Sequence, residues 1–218
     1  MRKLLLFIAI INLSLGCKQA AKPHITSYIR YLSEDLQTDV EFRVLDEKDS
    51  TRCKKIEDAF FNDGAMERKE NKVQGLFYQA IRNGKYPDAF AFRFKDEKKA
   101  YSTSIKAAAI DGLSVKDSTA HKLNGMLIAW KGEPLRKDET LTVLVTDSEE
   151  TVAEAKIQGA TTKTETFVPG AMFSGLKNGK GTVYVVKRRT ETVDNEELMI
   201  DSVVEFYSKS VKVNLVEK

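Results

Sequence analysis

Short stretches in which apolar and charged residues alternate with a period of two set the strongest limit on what this chain can fold into. In Val40-Glu41-Phe42-Arg43-Val44 every second side chain is apolar, and Phe90-Ala91-Phe92-Arg93-Phe94-Lys95 repeats the pattern with aromatics. Successive side chains of a strand point to opposite faces, so this period predicts half-buried strands of an antiparallel sheet. Residues 27–32 read as a further strand. In the second half, residues 126–130, 140–145, 164–168, 182–186, 203–207 and 211–216 follow. They are separated by turn clusters such as Lys131-Gly132-Glu133-Pro134, Pro169-Gly170 and Lys177-Asn178-Gly179-Lys180-Gly181. Residues 54–61 and 151–157 each have room for two helical turns, and each reads equally well as strand.

Strands punctuated by turns, with no regularly alternating helices, predict an all-β chain rather than βαβ units. Its 218 residues suit two tandem immunoglobulin-like antiparallel β-sandwich domains of about 100 residues each. The polar run Lys116-Asp117-Ser118-Thr119 places the boundary near Ser118, giving domains 25–118 and 119–218. Hydrophobic residues make up 42% and charged residues 31% of the chain, which predicts a folded body with a core rather than disorder.

The N-terminus is of a different kind. Arg2 and Lys3 precede LLLFIAIINLSL (residues 4–15), an apolar run too short for the roughly 20 residues of a membrane span but suited to the core of an export signal. It ends at Ser14-Leu15-Gly16-Cys17, and the chain turns polar at once with Lys18 and Gln19. These seventeen residues resemble the signal peptides of bacterial lipoproteins. The resemblance implies a signal peptide over residues 1–16, cleavage before Cys17, and acylation of Cys17 at its sulfur and new amino group. Residues 17–24 would then be a lipidated tether holding the body to the lipid bilayer of the cell envelope. The absence of an acidic residue directly after Cys17 favours the outer membrane over the inner. Ser14-x-Gly16 also suits an ordinary signal peptidase cutting the same bond. In that case Cys17 is free to pair with Cys53 in an oxidising compartment; if Cys17 is acylated, Cys53 is a lone thiol of the kind usually buried as a small apolar side chain.

Charge excludes one class of partner. The formal net charge is +3, and without Arg2 and Lys3 the remainder holds 33 basic against 32 acidic residues. A near-neutral body lacks the clustered excess of Lys and Arg that steers a protein to nucleic acid. Only two histidines exist, His24 in the expected tether and His121 near the expected boundary, where an exposed linker residue is the simplest reading. No G-x-S-x-G elbow accompanies them. Two histidines and one spare cysteine do not make a zinc site. The acidic turns Asp46-Glu47-Lys48-Asp49 and Asp147-Ser148-Glu149-Glu150 read as solvated turns, although a calcium-dependent adhesion module would use such oxygens. The 32 carboxylates keep a carboxylate-dependent glycan hydrolase open as a second alternative. Trp130 reads as core, Lys187-Arg188-Arg189 as a charged hairpin end that discourages edge pairing, and residues 167–173 as a cap over one end of a sandwich. Cys17 is the single site residue, for lipidation; the sequence assigns no catalytic, metal or cofactor residue. What remains is a non-enzymatic envelope protein that binds or supports another envelope protein or a glycan.

Overall fold

The computed structural model describes residues 22–217 apart from 47, 48, 51 and 98. The leader and Cys17 lie outside the described residues. The strands are β1 (His24–Leu32), β2 (Gln37–Leu45), β3 (Asp58–Phe61), β4 (Gly64–Ala65), β5 (Glu67–Asn71), β6 (Gly75–Asn83), β7 (Phe90–Lys95), β8 (Ala100–Ile105) and β9 (Ile110–Val115). They continue with β10 (Thr119–His121), β11 (Met126–Gly132), β12 (Glu139–Thr146), β13 (Val152–Gln158), β14 (Glu165–Val168), β15 (Gly179–Asp194), β16 (Met199–Tyr207) and β17 (Val211–Val216). Two short 3-10 turns, Lys116–Ser118 and Gly170–Phe173, complete the regular structure among the described residues. The chain is all-β. The two segments with room for a helix give β3 and β13, because pairing with β7 and β12 supplies their backbone partners.

Two sandwiches share one sheet. A ten-stranded sheet runs in the order β10-β17-β15-β16-β1-β2-β6-β5, with β12 and β13 on the other edge of β15. The four-stranded sheet β4-β3-β7-β8 covers one half and the three-stranded sheet β14-β11-β9 covers the other. The alternation read from sequence is the alternation of burial: in β2 every second residue from Thr38 is buried. In the first core, Phe42 stacks on Phe92 with ring centroids 5.2 Å apart, beside Ile25, Ile29, Phe61, Phe94 and Ile200. In the second, Leu141, Val143, Val183 and Val185 meet Ile128, Trp130 and Val168. Full burial of side chains of this size contributes roughly 1.5–3 kcal/mol each.

A two-stranded ribbon is the common spine. β15 is 16 residues long, or about 50 Å at the strand rise. Along one edge it pairs with β17 through Gly179–Val183 and with β16 through Val186–Asp194. Between these stretches Tyr184 and Val185 face three residues, Ser208 to Ser210, so the partner strand carries a β-bulge. The bulge reverses parity: β16 buries even-numbered residues such as Ile200 and Val204, whereas β17 buries Val213 and Leu215. The gap is closed by Ser208, whose hydroxyl accepts the Val185 N–H at 2.9 Å while its own N–H donates to the Val185 carbonyl at 2.9 Å. Pairing is mainly antiparallel, but β1–β16 and β10–β17 are parallel. A period of two cannot distinguish the two senses.

The division near Ser118 does not describe either core. The first takes Leu198, Ile200 and Val204 from the C-terminal part, and the second takes Tyr31 and Ile110 from before Ser118. Ser118 ends a 3-10 turn between two strands of the second sandwich. The crossing lies instead at residues 106–109, where Tyr86 donates to the Ala107 carbonyl at 2.9 Å and Arg189 donates to the Lys106 carbonyl. Lys187-Arg188-Arg189 is also not a hairpin end, since all three residues sit inside β15. Lys187 is 3% exposed and ion-paired across 2.9 Å with Glu139 on β12, at the junction of the two cores. Arg189 pairs with Asp138 at 2.9 Å, and Arg188 faces outward to Glu205. The charge run marks where the inward face of β15 leaves one apolar core before joining the next.

Candidate functional site

The ribbon has two unlike ends. At one, His24 pairs in register with Met199 and Leu45, and Met199 with Asp194. His24 thus opens β1 rather than lying in a tether, and its Nε2 is 2.7 Å from the Asp201 carboxylate. Before it, Lys22 is ion-paired with Asp194, and the Pro23 carbonyl accepts the Met199 N–H at 3.0 Å. Cys53 bridges to Leu45 at this same end, half-buried, with its thiol pushed up by burial.

At the opposite end, β12 and β10 run out into the turns 147–151 and 122–125, and residues 169–178 lead into β15. Asp147 holds this end together. One of its oxygens accepts the N–H groups of Glu149 and Thr151 at 2.9 and 3.0 Å, and the other accepts the Lys177 N–H at 2.7 Å. Those amide donors, the Lys177 N–H foremost, hold its carboxyl below the usual range. The Lys177 ammonium closes the same contact on Glu149. Asp147 and Glu149 are therefore committed to protein donors, which is not how an acidic turn holds a cation. No cluster of three metal-ligating side chains occurs among the described residues. In the other acidic turn, residues 47 and 48 lie outside the described residues.

Beside Asp147 lies an open groove of about 520 Å³ on the outward face of the shared sheet. Thr146 and Ser148 line one side, Lys180 and Thr182 the floor, and Lys212 and Asn214 the other side. The register places Lys180 opposite Asn214 and Thr182 opposite both Lys212 and Thr146. The sequence places Lys180 and Gly181 in a turn, but β15 already begins at Gly179, whose φ of 126° is open to glycine. Lys180 and Lys212 are exposed, and neither has an acidic partner among the described residues.

The neighbouring surface is apolar. Leu123 is 64%, Phe167 56% and Met172 41% exposed, whereas Val168 and Phe173 are buried. The segment 167–173 thus caps the sandwich with two side chains and exposes two others. The Phe167 ring lies where a Cβ at Gly125 would fall, and Gly125 has φ +81°, so this approach requires glycine. His121 belongs to β10 rather than to a linker; it is half-buried, and its buried Nδ1 has no hydrogen-bond partner among the described residues. Trp130 is core, with its indole N–H donating to the Glu133 carbonyl at 3.1 Å.

A second, smaller groove of about 320 Å³ crosses the other half of the sheet and includes Glu41 and Asp201. Glycoside cleavage needs a carboxyl kept protonated near neutral pH. Asp201 is shifted the other way, first by the Thr192 hydroxyl and then by His24. Glu41 meets Arg43 at 3.5 Å. Deeper in this face Glu205 accepts the Tyr28 and Tyr207 hydroxyls at 2.6 and 3.1 Å. Burial, and then Glu205, push the Tyr28 hydroxyl pKa up.

A scan of protein-family models finds no match to the chain. A search of curated proteins finds none either. Among solved structures, a tetra-tandem repeat from the extending region of a large adhesion protein is similar over 88% of this chain and 49% of its own, at 11% identity and a TM-score of 0.36. The full ectodomain of mouse nectin-like molecule 4 (Ig1–Ig3) is similar over 86% of this chain and 64% of its own, at 7% identity and a TM-score of 0.26. The chain spans about half the length of the first and less than two thirds of the second. Likeness at this level carries no argument about family or role.

Proposed function

We propose that this is an exported envelope protein, anchored in the bilayer through acylated Cys17, with a non-enzymatic binding or supporting role exercised at the end of the body remote from the anchor. The outer membrane is the favoured site. One observation carries the reading: the two ends of the β15 ribbon. Lys22 is docked against Asp194 at one end, and the five residue steps from Cys17 to Lys22 reach at most about 18 Å. An anchor on Cys17 therefore keeps that end close to the membrane. The stapled loops and the lysine-bearing groove stand about 50 Å away along the strand. Loops gathered at one end of a sandwich are where such scaffolds carry binding surfaces.

Fractionation of labelled cells, combined with a photo-crosslinking residue at position 148 or 195, tests this. The protein should partition with membranes, and position 148 should yield a reproducible adduct with an envelope protein or glycan that position 195 does not. Recovery in the soluble cytoplasmic fraction, or equal adducts from both ends, would remove the proposal. Intact mass of the mature protein decides the state of Cys17: acyl chains support the anchor, and a Cys17–Cys53 disulfide excludes it.

A further inference from the structure

We infer that the distal groove binds a linear anionic glycan, a polysaccharide carrying uronate carboxylates, with Lys180 and Lys212 taking the acid groups and Tyr184 taking a sugar face. This names the ligand class for the end identified above and so rests on that reading. Three observations converge on it. First, Lys180 and Lys212 project from the same face of paired strands one rung apart. Such diagonal neighbours are about 7–8 Å apart, so two flexible ammonium groups can meet one carboxylate or two successive ones. Both lysines lack an acidic partner among the described residues, and the nearest carboxylate in the groove, Asp147, is occupied by three backbone N–H groups. The groove thus presents two ammonium groups with no ion-pair partner among the described residues, beside one carboxylate whose oxygens are taken by backbone N–H groups.

Second, beside Asp147, Gly181 and Val213 the lining carries Ser118, Thr146, Ser148, Thr182 and Asn214, short hydroxyls and an amide that both donate and accept. That chemistry suits a polyol. A bare phosphate or a protein acid would leave most of it idle. Third, Lys180, Thr182 and Tyr184 follow one another on the outward face of β15. At the strand rise they form a track of about 13 Å, the length of a few sugar units. Half-buried Tyr184 lines the next hollow with Tyr207 and Glu34, and Glu34 is hydrogen-bonded to Ser210, which ends the track. A sugar stacks on a tyrosine face through its C–H edge while the lysines hold the carboxylates.

Isothermal titration of the full-length protein in detergent micelles, with polygalacturonate fragments, neutral dextran of matched length and polyphosphate, tests the assignment. Polygalacturonate should bind, dextran should not, and the affinity should fall as salt rises. Lys180→Gln and Lys212→Gln should each weaken binding about tenfold, the loss of one charge-assisted contact. Tyr184→Leu should weaken polygalacturonate binding while leaving polyphosphate unaffected, and thermal melts should show all three variants folded. Absence of polygalacturonate binding, equal binding of dextran, or lysine variants that bind like the parent would overturn the inference. Polyphosphate binding as tightly as polygalacturonate, with Tyr184→Leu without effect on either, would mark a mere charge site and overturn it too. If these titrations fail while position 148 still crosslinks to an envelope component, the glycan assignment falls and the binding end stands. If that crosslink fails as well, both fall.

Discussion

At the scale of single residues, Asp147 does the most with the least. Three backbone N–H groups from two loops converge on one carboxylate, a task that needs four lone-pair sites and a full negative charge. Because its carboxyl is held below the ordinary value, near 3.9 for an aspartate, the staple contributes fully above that value. It is lost as pH falls through the lower folded one. Proteolytic nicking of the loops 147–151 and 169–178 should therefore rise only under distinctly acid conditions, while at neutral pH they resist. Asp147→Asn should reproduce the acid behaviour at pH 7, because its NH2 group meets donors where an acceptor is required. The check is limited proteolysis with thermal melts, and a variant with the parent's midpoint and cleavage rate would show that the staple is idle.

At the scale of elements, the ribbon explains both what was readable and what was not. β2, β7 and β12 were legible because each buries one face, so their composition alternates with their exposure. β5, with the sequence ERKEN, was not, since an edge strand exposed on both faces has no apolar period to read. The bulge was invisible because a one-residue slip between β16 and β17 leaves each half regular by itself. Lys187 misled for a physical reason: a charge buried against one specific partner looks in sequence like a charge in solvent. Two measurements follow. Ser208→Ala leaves the buried Val185 N–H without its acceptor and should cost about 1–3 kcal/mol. Lys187→Met alone strands the 1%-exposed Glu139 side chain and should cost roughly 3–5 kcal/mol. The double change with Glu139→Leu should recover most of that loss, since an apolar pair of similar volume spares both desolvation costs. Denaturant melts of the two single variants and the double variant decide it, and a double variant as unstable as Lys187→Met would mean that the pair is not an isolated couple.

At the scale of the whole molecule, two sandwiches threaded by one continuous strand cannot behave as beads on a string. The groove itself was unreadable in sequence because Lys180 and Lys212 meet only through the β15–β17 register, and the division near Ser118 failed because polarity of a short turn says nothing about which strands return later. Each core takes strands from both sides of that turn: Leu198 and Ile200 enter the first, Tyr31 and Ile110 the second. The crossing at residues 106–109 is itself fixed by Tyr86 and Arg189. Relative domain motion is the default only where few contacts cross a linker, and here an entire hydrogen-bonded ribbon crosses. Calorimetry should therefore show one cooperative transition, with equal calorimetric and van't Hoff enthalpies. Residues 22–118 and 119–217 expressed separately should each be unfolded, the first lacking β16 beside β1 and the second left with the β1 edge of β16 and the β9 edge of β11 unpaired. Mixing the two should restore native circular dichroism, because every strand and both cores are then present. Two separate transitions, or a fragment that melts cooperatively alone, would show that the ribbon joins two independent domains, and the rigid separation of anchor from groove would lose its physical basis.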